Sequence, residues 1–362
     1  MKNKMITTAL LTACACGANA QDLSVQVYGR LNVAVENMRT SANSAGRSLS
    51  ITREVNDRSV LGFKGTEDLG GGNKALFQIE GTISPDTGEG AIAQRDTRIG
   101  LEGGWGTLFA GHWVTAYNAA TSGLDPWYPT TAGYMNLIAN GSASTADNVN
   151  NTSSFDRRQA NSVHYWSPLW NGLQLRVTHG LSEERPANGA HPALTSAAGI
   201  WARGPWYVTA AYERHHEYQG VGLNDHGAKI GAAYRFGNSR IAVVGERLEY
   251  ETPSGNLKRD ALFVALTHQL AAHNLRLTAA RANDGKGSST AKIGFIRKGP
   301  DTGATQFTVG DDYSLSTRTS VFIYYTHLKN DANGAYDFPI NPLTVSPGAA
   351  LRGEAFGLRH FF

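Results

Sequence analysis

The sequence predicts an all-β fold, a 16-stranded antiparallel transmembrane β-barrel with a long third loop folded into its bore. Three observations predict it. Short segments of alternating apolar and polar residues recur along nearly the whole chain. The connections between them alternate between tight turns and long polar loops. One stretch, residues 117–157, interrupts the pattern for 41 residues before it resumes at once in NSVHYWSP. A loop of this length inside a compact domain is usually functional. Its pieces DPWYP and AGYMNLIAN are apolar enough to pack on a wall, so it is placed inside the barrel, where it narrows the bore. Deleting 131–148 would then raise conductance.

The first strand, 24–38, carries Val25, Val27, Gly29, Leu31, Val33 and Val35 on one face and Gln26, Tyr28, Arg30, Asn32 and Glu36 on the other. That exceeds the usual strand of about five or six residues. In a large membrane barrel the apolar face meets lipid and the polar face meets water. The next hairpin sets Leu61 and Phe63 against Lys64, turns through 65–72, and continues with Phe77, Ile79 and Ile83 against Gln78, Glu80 and Thr82. RDTRIGLEGGWGTLFAGHWVTAY gives two more strands. Beyond the long loop, strands are read at 158–167, 172–181, 194–204, 206–217, 225–236, 239–251, 259–270, 273–283, 304–315, 317–329 and 350–362, for a total of about 16, an even number in the range of bacterial barrels. The tight turns fall at 70–72, 204–205, 237–238 and 271–272, and long loops at 39–52, 182–193, 284–303 and 330–349. Such asymmetry between the two ends is how outer-membrane barrels are built. Tyr28, Trp105, Trp166, Trp170, Trp206 and Tyr250 stand near strand ends, where both interfacial girdles and core packing use aromatics.

Composition agrees. Of 362 residues, 17% are charged and 41 are Gly, and no apolar run reaches the 18 residues of a membrane helix. Residues 1–20 read as a signal peptide: Lys2 and Lys4 lead, an apolar stretch follows, and Ala18-Asn19-Ala20 offers a small-x-small cleavage site before Gln21. Leu11-Thr12-Ala13-Cys14 also fits a lipoprotein signal box, which would make Cys14 a lipidated terminus. Cleavage before Gln21 removes both cysteines and leaves residues 21–362 as the barrel, with no disulfide framework. Loss of Lys2 and Lys4 takes 33 basic residues to 31 against 30 acidic, a balance that suggests no nucleic-acid partner.

Enzyme signatures are missing: there is no G-x-S-x-G, H-E-x-x-H or P-loop. His215-His216 beside Glu213 and Glu217 resembles a metal set only on paper, because neighbouring residues of a strand point to opposite faces. No catalytic residue, metal or cofactor is expected. A membrane-embedded barrel enzyme and a structural or adhesive barrel with a plugged lumen are the competing classes, and stepwise conductance separates them from a channel.

The hairpin SVLGFKGTEDLGGGNKALFQIEG, the opening SVQVYGRLN, the segment RDTRIGLEGGWGTLFAGHW, the re-entry RRQANSVHYWSP and the ending GLRHFF together resemble the general porins of Gram-negative bacteria, in the β-proteobacterial branch. The resemblance spans the mature chain. It implies an outer-membrane homotrimer, a water-filled channel for passive diffusion of small hydrophilic solutes and ions, contacts with outer-membrane lipid and lipopolysaccharide, and a last strand ending in Phe362 that the barrel-assembly machinery reads. It also implies a constriction in which basic wall residues face acidic loop residues.

Carried over by position, the pore constriction is Arg58, Arg98, His112, Asp125 and Arg158. Arg158 matches the basic residue that opens the sixth strand. Val60 stands where the family often has Arg, with Arg58 two residues earlier, and Gly111-His112 replaces a Gly-Arg pair. Arg98 is the candidate to compensate. On the loop, Asp125 is the first acidic candidate and Asp147 the second. A small positive excess gives weak anion selectivity, with small organic anions as permeants. His112 would add charge as pH falls through about 6.5, strengthening anion preference between about pH 7.5 and pH 5.

Overall fold

The computed structural model describes residues 24–362, so the signal peptide, Cys14, Cys16 and Gln21 lie outside the described residues. Sixteen strands close into one antiparallel barrel. In chain order they are β1 (Ser24–Thr40), β2 in two parts (Leu49–Asn56 and Val60–Gly70), β3 (Asn73–Ser84), β4 (Thr97–Gly103), β5 (Gly106–Val114), β6 (Arg157–Trp166), β7 (Leu173–Gly180), β8 (Ala193–Arg203), β9 (Trp206–His216), β10 (Asn224–Phe236), β11 (Ser239–Thr252), β12 (Gly255–Leu270), β13 (His273–Ala282), β14 (Ala304–Ser314), β15 (Thr319–Asn330) and β16 (Ala350–Phe361). Each pairs with its neighbours, and β16 pairs back onto β1 from Arg30↔Phe361 to Thr40↔Leu351. Phe362 finishes the closure, its N–H donating to the Gly29 carbonyl at 3.2 Å and its carbonyl accepting from Gly29 N–H at 3.1 Å. Closure satisfies every strand edge, which a membrane interior requires. Among the described residues no helix is long and apolar enough to cross a membrane.

The alternation read from sequence places the apolar faces outward. Val25, Val27, Val35, Ile99, Ile230, Ile323 and Phe356 are all more than half exposed, Ile99 by 71%. In water such a belt would be unstable; in lipid it is the solvated face.

Several boundaries differ from the sequence reading. The gap left between the strands read at 239–251 and 259–270 is a two-residue turn, because Tyr250↔Leu257 and Thr252↔Gly255 continue the ladder to the extracellular end. Strand β2 breaks at 57–59, where Arg58 sits at φ 59°. Asn32 Nδ2 donates to the Asp57 carbonyl (3.0 Å), Asn32 N–H to Ser59 Oγ (2.9 Å) and Arg30 NH2 to the Arg58 carbonyl (2.8 Å), so three side chains hold the break open.

The long loop, read as structureless, has local order. Thr115 caps a short helix, α1 (Ala116–Thr121), its Oγ1 accepting from Asn118 N–H. Further on, Ala143–Ala146 runs parallel to the start of β6. Tyr117, Trp127, Tyr134, Leu137, Ile138 and Phe155 are buried. They fit because the wall opposite is built from small residues: a Cβ at Gly227 would lie 2.6 Å from Phe155 Cδ1, and one at Gly310 would lie 2.8 Å from Trp127 Cη2. Tyr134 meets Phe263 edge-on at 4.7 Å and Trp127 meets Tyr324 at 5.4 Å. At about 1.5–3 kcal/mol per fully buried large apolar side chain, this contact holds the loop inside the barrel.

The last loop, expected to be an outer polar excursion over 330–349, also folds inward. Tyr336, Phe338 and Ile340 are buried, Asn136 Nδ2 donates to the Asp337 carbonyl at 2.6 Å, and Asn341 Nδ2 donates to Thr131 Oγ1 at 3.0 Å. Its apolar piece YDFPI roofs the constriction loop.

Candidate pore constriction

The wall facing the loop is basic. Arg95 opens onto Glu80 (Nε to Oε1, 2.7 Å), and Tyr28 donates to the second oxygen of the same carboxylate at 3.0 Å. Arg158 donates to Asp96 Oδ1 at 2.6 Å and to the Ser144 carbonyl of the loop at 2.9 Å. Arg58, carried inward by the break in β2, donates to Tyr128 Oη at 3.2 Å and to Ser142 Oγ, and lies 5.6 Å from the centre of the Tyr128 ring. Arg30 supports it from below through the Arg58 carbonyl. Four guanidinium groups thus share two carboxylates. Arg30 and Arg58 have no carboxylate partner among the described residues. Guanidinium stays charged at any relevant pH and presents a rigid fork to carboxylate or phosphate.

Arg158 and Arg58 both reach the loop, Arg158 at Ser144 and Arg58 at Tyr128 and Ser142. Arg98 faces the lumen but apart from this cluster: its guanidinium is boxed by Trp113 (4.3 Å), Phe109 (4.7 Å) and Trp166 (5.1 Å).

By strand register His112 points away from this cluster. It pairs with Thr97 in the row next to Ile99↔Ala110, and so shares the outward face with Leu108 and Ala110, whereas Phe109 and Trp113 point inward. The register shift beside it lies opposite, on β6, where Asn161 has φ 48°. His112→Ala is expected to leave the reversal potential unchanged from pH 7.5 to pH 5. A flattened response measured across that range would put the imidazole back in the filter.

Asp125 also differs from expectation. It is buried, and its carboxylate is spent on the loop itself: Oδ1 accepts from Trp127 N–H (2.9 Å) and Oδ2 from Tyr134 N–H (3.0 Å). Burial pushes it up to about 6, against those two N–H donors and the nearby Arg276, which lower it. Asp147 likewise accepts from Val149 and Asn150 N–H in its own turn. Asp156, also buried and raised by that burial against Arg58, Lys229 and Arg158, takes the side-chain amide of Asn118. Apart from Asp156, whose charged form Arg58 and Arg158 favour, the loop offers the arginine wall hydroxyls and carbonyls.

This has a pH consequence. The folded loop binds a proton at Asp125 more readily than the unfolded chain does, so the contribution of this group to loop stability rises as pH falls through about 6 and is complete below about 4. Loop-opening flicker in single-channel records is expected to diminish from pH 7.5 to pH 5 and to lose that dependence in Asp125→Asn. Equal dependence in the variant would assign the effect to another group.

Arg95, Arg30, Tyr28 and Tyr128 belong to the cluster and were not among the sequence candidates. The signal for Arg95 lies in RDTR, where three charges in four residues open a lumenal strand. Arg30 gave no such signal, because its role depends on the break in a strand 28 residues away. The histidine pair does separate as strand geometry requires. His215 is buried against Phe155 (4.1 Å) with Nε2 2.9 Å from Glu213, and His216 turns to Asn224.

A closed barrel with an apolar outer belt, and a loop packed inside it opposite a basic wall, defines a diffusion channel of the bacterial outer membrane. A model of the Gram-negative porin family matches residues 7–333, and this chain belongs to that family. Among relatives it is similar to the outer membrane porin protein 32 of Delftia acidovorans, 25% identical over the full length of both. It is also similar to the major outer membrane protein P.IB of Neisseria meningitidis serogroup B, 31% identical over 201 residues, 54% of this chain and 55% of the relative. In structure it resembles the anion-selective porin from Comamonas acidovorans with a TM-score of 0.79 at 21% identity, over 94% of this chain and 100% of that one; at that identity the likeness concerns the fold.

Proposed function

We infer that the channel prefers small anions, organic carboxylates and phosphates included, over cations of similar size. The observation that carries this is the pair of guanidinium groups, Arg30 and Arg58, which have no carboxylate ion-pair partner among the described residues where the loop meets the wall. Charge confined between low-dielectric walls acts on a passing ion far more strongly than the same charge in water. The name of the Comamonas structure, an anion-selective porin, favours the same direction. The constriction of this reading is Arg30, Arg58, Arg95 and Arg158 against Tyr128, Ser142 and Ser144. Arg98 forms a separate cationic position among aromatic rings.

The working particle is a homotrimer exported with cleavage before Gln21, its last strand presenting Phe362 for assembly. The apolar outer faces of β1 and β16, with Val25, Val27, Val35, Phe356 and Leu358 exposed, support the trimer as surfaces for a neighbouring copy. Purified protein in a planar bilayer is expected to give stepwise conductance in multiples of three and a reversal potential of anion-selective sign in a KCl gradient. No steps would favour a plugged adhesive barrel, and a cation-selective sign would overturn the assignment. An unheated gel of the same sample showing only monomer would remove the trimer.

A further inference from the structure

We propose that the outer wall of β7–β12 carries a specific site for one acyl chain of an inner-leaflet glycerophospholipid, with its phosphate held by Arg203. The outward faces of these strands are in register as two transverse rows. One runs Leu175, Gly199, Ala210, Ile230, Gly245, Leu262, and the next, towards the short turns, runs Leu173, Trp201, Val208, Ala232, Val243. Between the two rows lies an apolar groove of about 530 Å³.

Gly199 and Gly245 make the groove, and neither is forced to be glycine. A Cβ at Gly199 would meet only Leu175 Cδ2, at 3.7 Å, and one at Gly245 only Ile230 Cγ1, at 3.9 Å; both are ordinary contacts. Neither residue has a positive φ. By contrast, the glycines under Phe155 and Trp127 would clash. Glycine in a strand interior weakens the strand, so two such positions in one row, with room for a side chain, leave a depression that the fold itself does not need.

The surroundings of the groove select the occupant. On its extracellular side the outward cations are already paired, Arg247 with Asp260 at 2.6 Å and Lys258 with Glu249 at 2.8 Å, and those carboxylates would repel a phosphate. On the side of the short turns, Arg203 follows Gly199 and Trp201 on the same face. It is exposed and has no ion-pair partner among the described residues. Its register partner Trp206 leans on Tyr234, ring centres 4.3 Å apart, as an interfacial aromatic pair. From Arg203 to the glycine row is four residues, about 13 Å along a strand. Half of a hydrocarbon core is about 15 Å. A lipid with its headgroup at Arg203 therefore lays a chain along the groove within one leaflet.

The test is native mass spectrometry of delipidated protein titrated with dioleoylphosphatidylglycerol and, in parallel, with lipid A. Wild type is expected to retain one phosphatidylglycerol per protomer. Retention is expected to fall roughly tenfold in Gly199→Leu/Gly245→Leu, where the groove is filled, and several-fold in Arg203→Gln. Unchanged heat-modifiable migration reports that each barrel is intact. If the glycine double variant fails to assemble, Arg203→Gln, an exposed change, decides alone. Equal retention by wild type and Arg203→Gln overturns the proposal, as does a groove that retains lipid A in preference to phosphatidylglycerol.

Discussion

Replacing Arg30 and Arg58 together by Gln is expected to move the reversal potential from anion-selective to near zero or to cation-selective. Within the cluster of four arginines these two have no carboxylate ion-pair partner; the charges of Arg95 and Arg158 are balanced by Glu80 and Asp96. At an effective dielectric of about 20, a unit charge some 6 Å from a passing ion contributes about 3 kcal/mol, and in bulk water about 0.7 kcal/mol. The bore lies between these limits, so removing two charges changes local anion occupancy by roughly tenfold or more at low salt, and by less as screening increases. Arg58→Gln alone is expected to give about half the shift, and Arg58→Lys to preserve the sign, since a point charge suffices for selectivity. Reversal potentials in dilute KCl gradients decide it. An unchanged value in the double variant would place the selectivity elsewhere, with the aromatic-boxed Arg98 as the next group to replace.

Glu246→Ala is expected to release the constriction loop. Glu246 and Arg259 are both fully buried, 3.2 Å apart. The same carboxylate accepts from Tyr117 Oη at 2.8 Å and from Ala139 N–H at 2.7 Å, and Arg259 donates to the Leu137 carbonyl. One ion pair on the wall therefore ties both the first turn and the middle of the loop. Removing the carboxylate leaves Arg259 buried without its counter-charge, at a cost of about 3–5 kcal/mol, which is comparable to the burial of one or two of the loop's aromatics. Single-channel conductance is expected to rise with large fluctuations, and protease sites within 131–148 to open, whereas Glu246→Gln, which keeps an acceptor, gives a milder change. Wild-type conductance together with wild-type protease resistance in Glu246→Ala would show that apolar packing alone holds the loop.

The sequence by itself determined the barrel. Lipid on one side, and the need to satisfy every backbone group within the sheet, leave few solutions for a chain of long alternating segments. Strand number and the alternation of tight turns with long loops followed from local composition and are visible in the paired strands β1–β16; the inward course of 117–157 followed from its apolar pieces. Arg158 was singled out by its match to the family's basic residue at the start of the sixth strand, and its side chain reaches Asp96 and the loop carbonyl of Ser144.

The rest of the constriction was decided only by tertiary structure, because each feature depends on contacts that no local pattern shows. The break at 57–59 exists because Asn32 and Arg30 of the neighbouring strand hold it, and it moves Arg58 onto Tyr128. His112 lies beside the register shift between β5 and β6, where local alternation stops reporting the face of a residue. Asp125 is withdrawn from the bore because two N–H groups of its own loop claim both its oxygens. Period-2 patterning reports which face a residue is on as long as the strand is regular. Where a strand breaks, or a loop folds back into the barrel, the direction of a side chain is set by contacts between segments some 70 to 280 residues apart, such as Arg58 with Tyr128 and Asn341 with Asp57, and no local pattern carries that information.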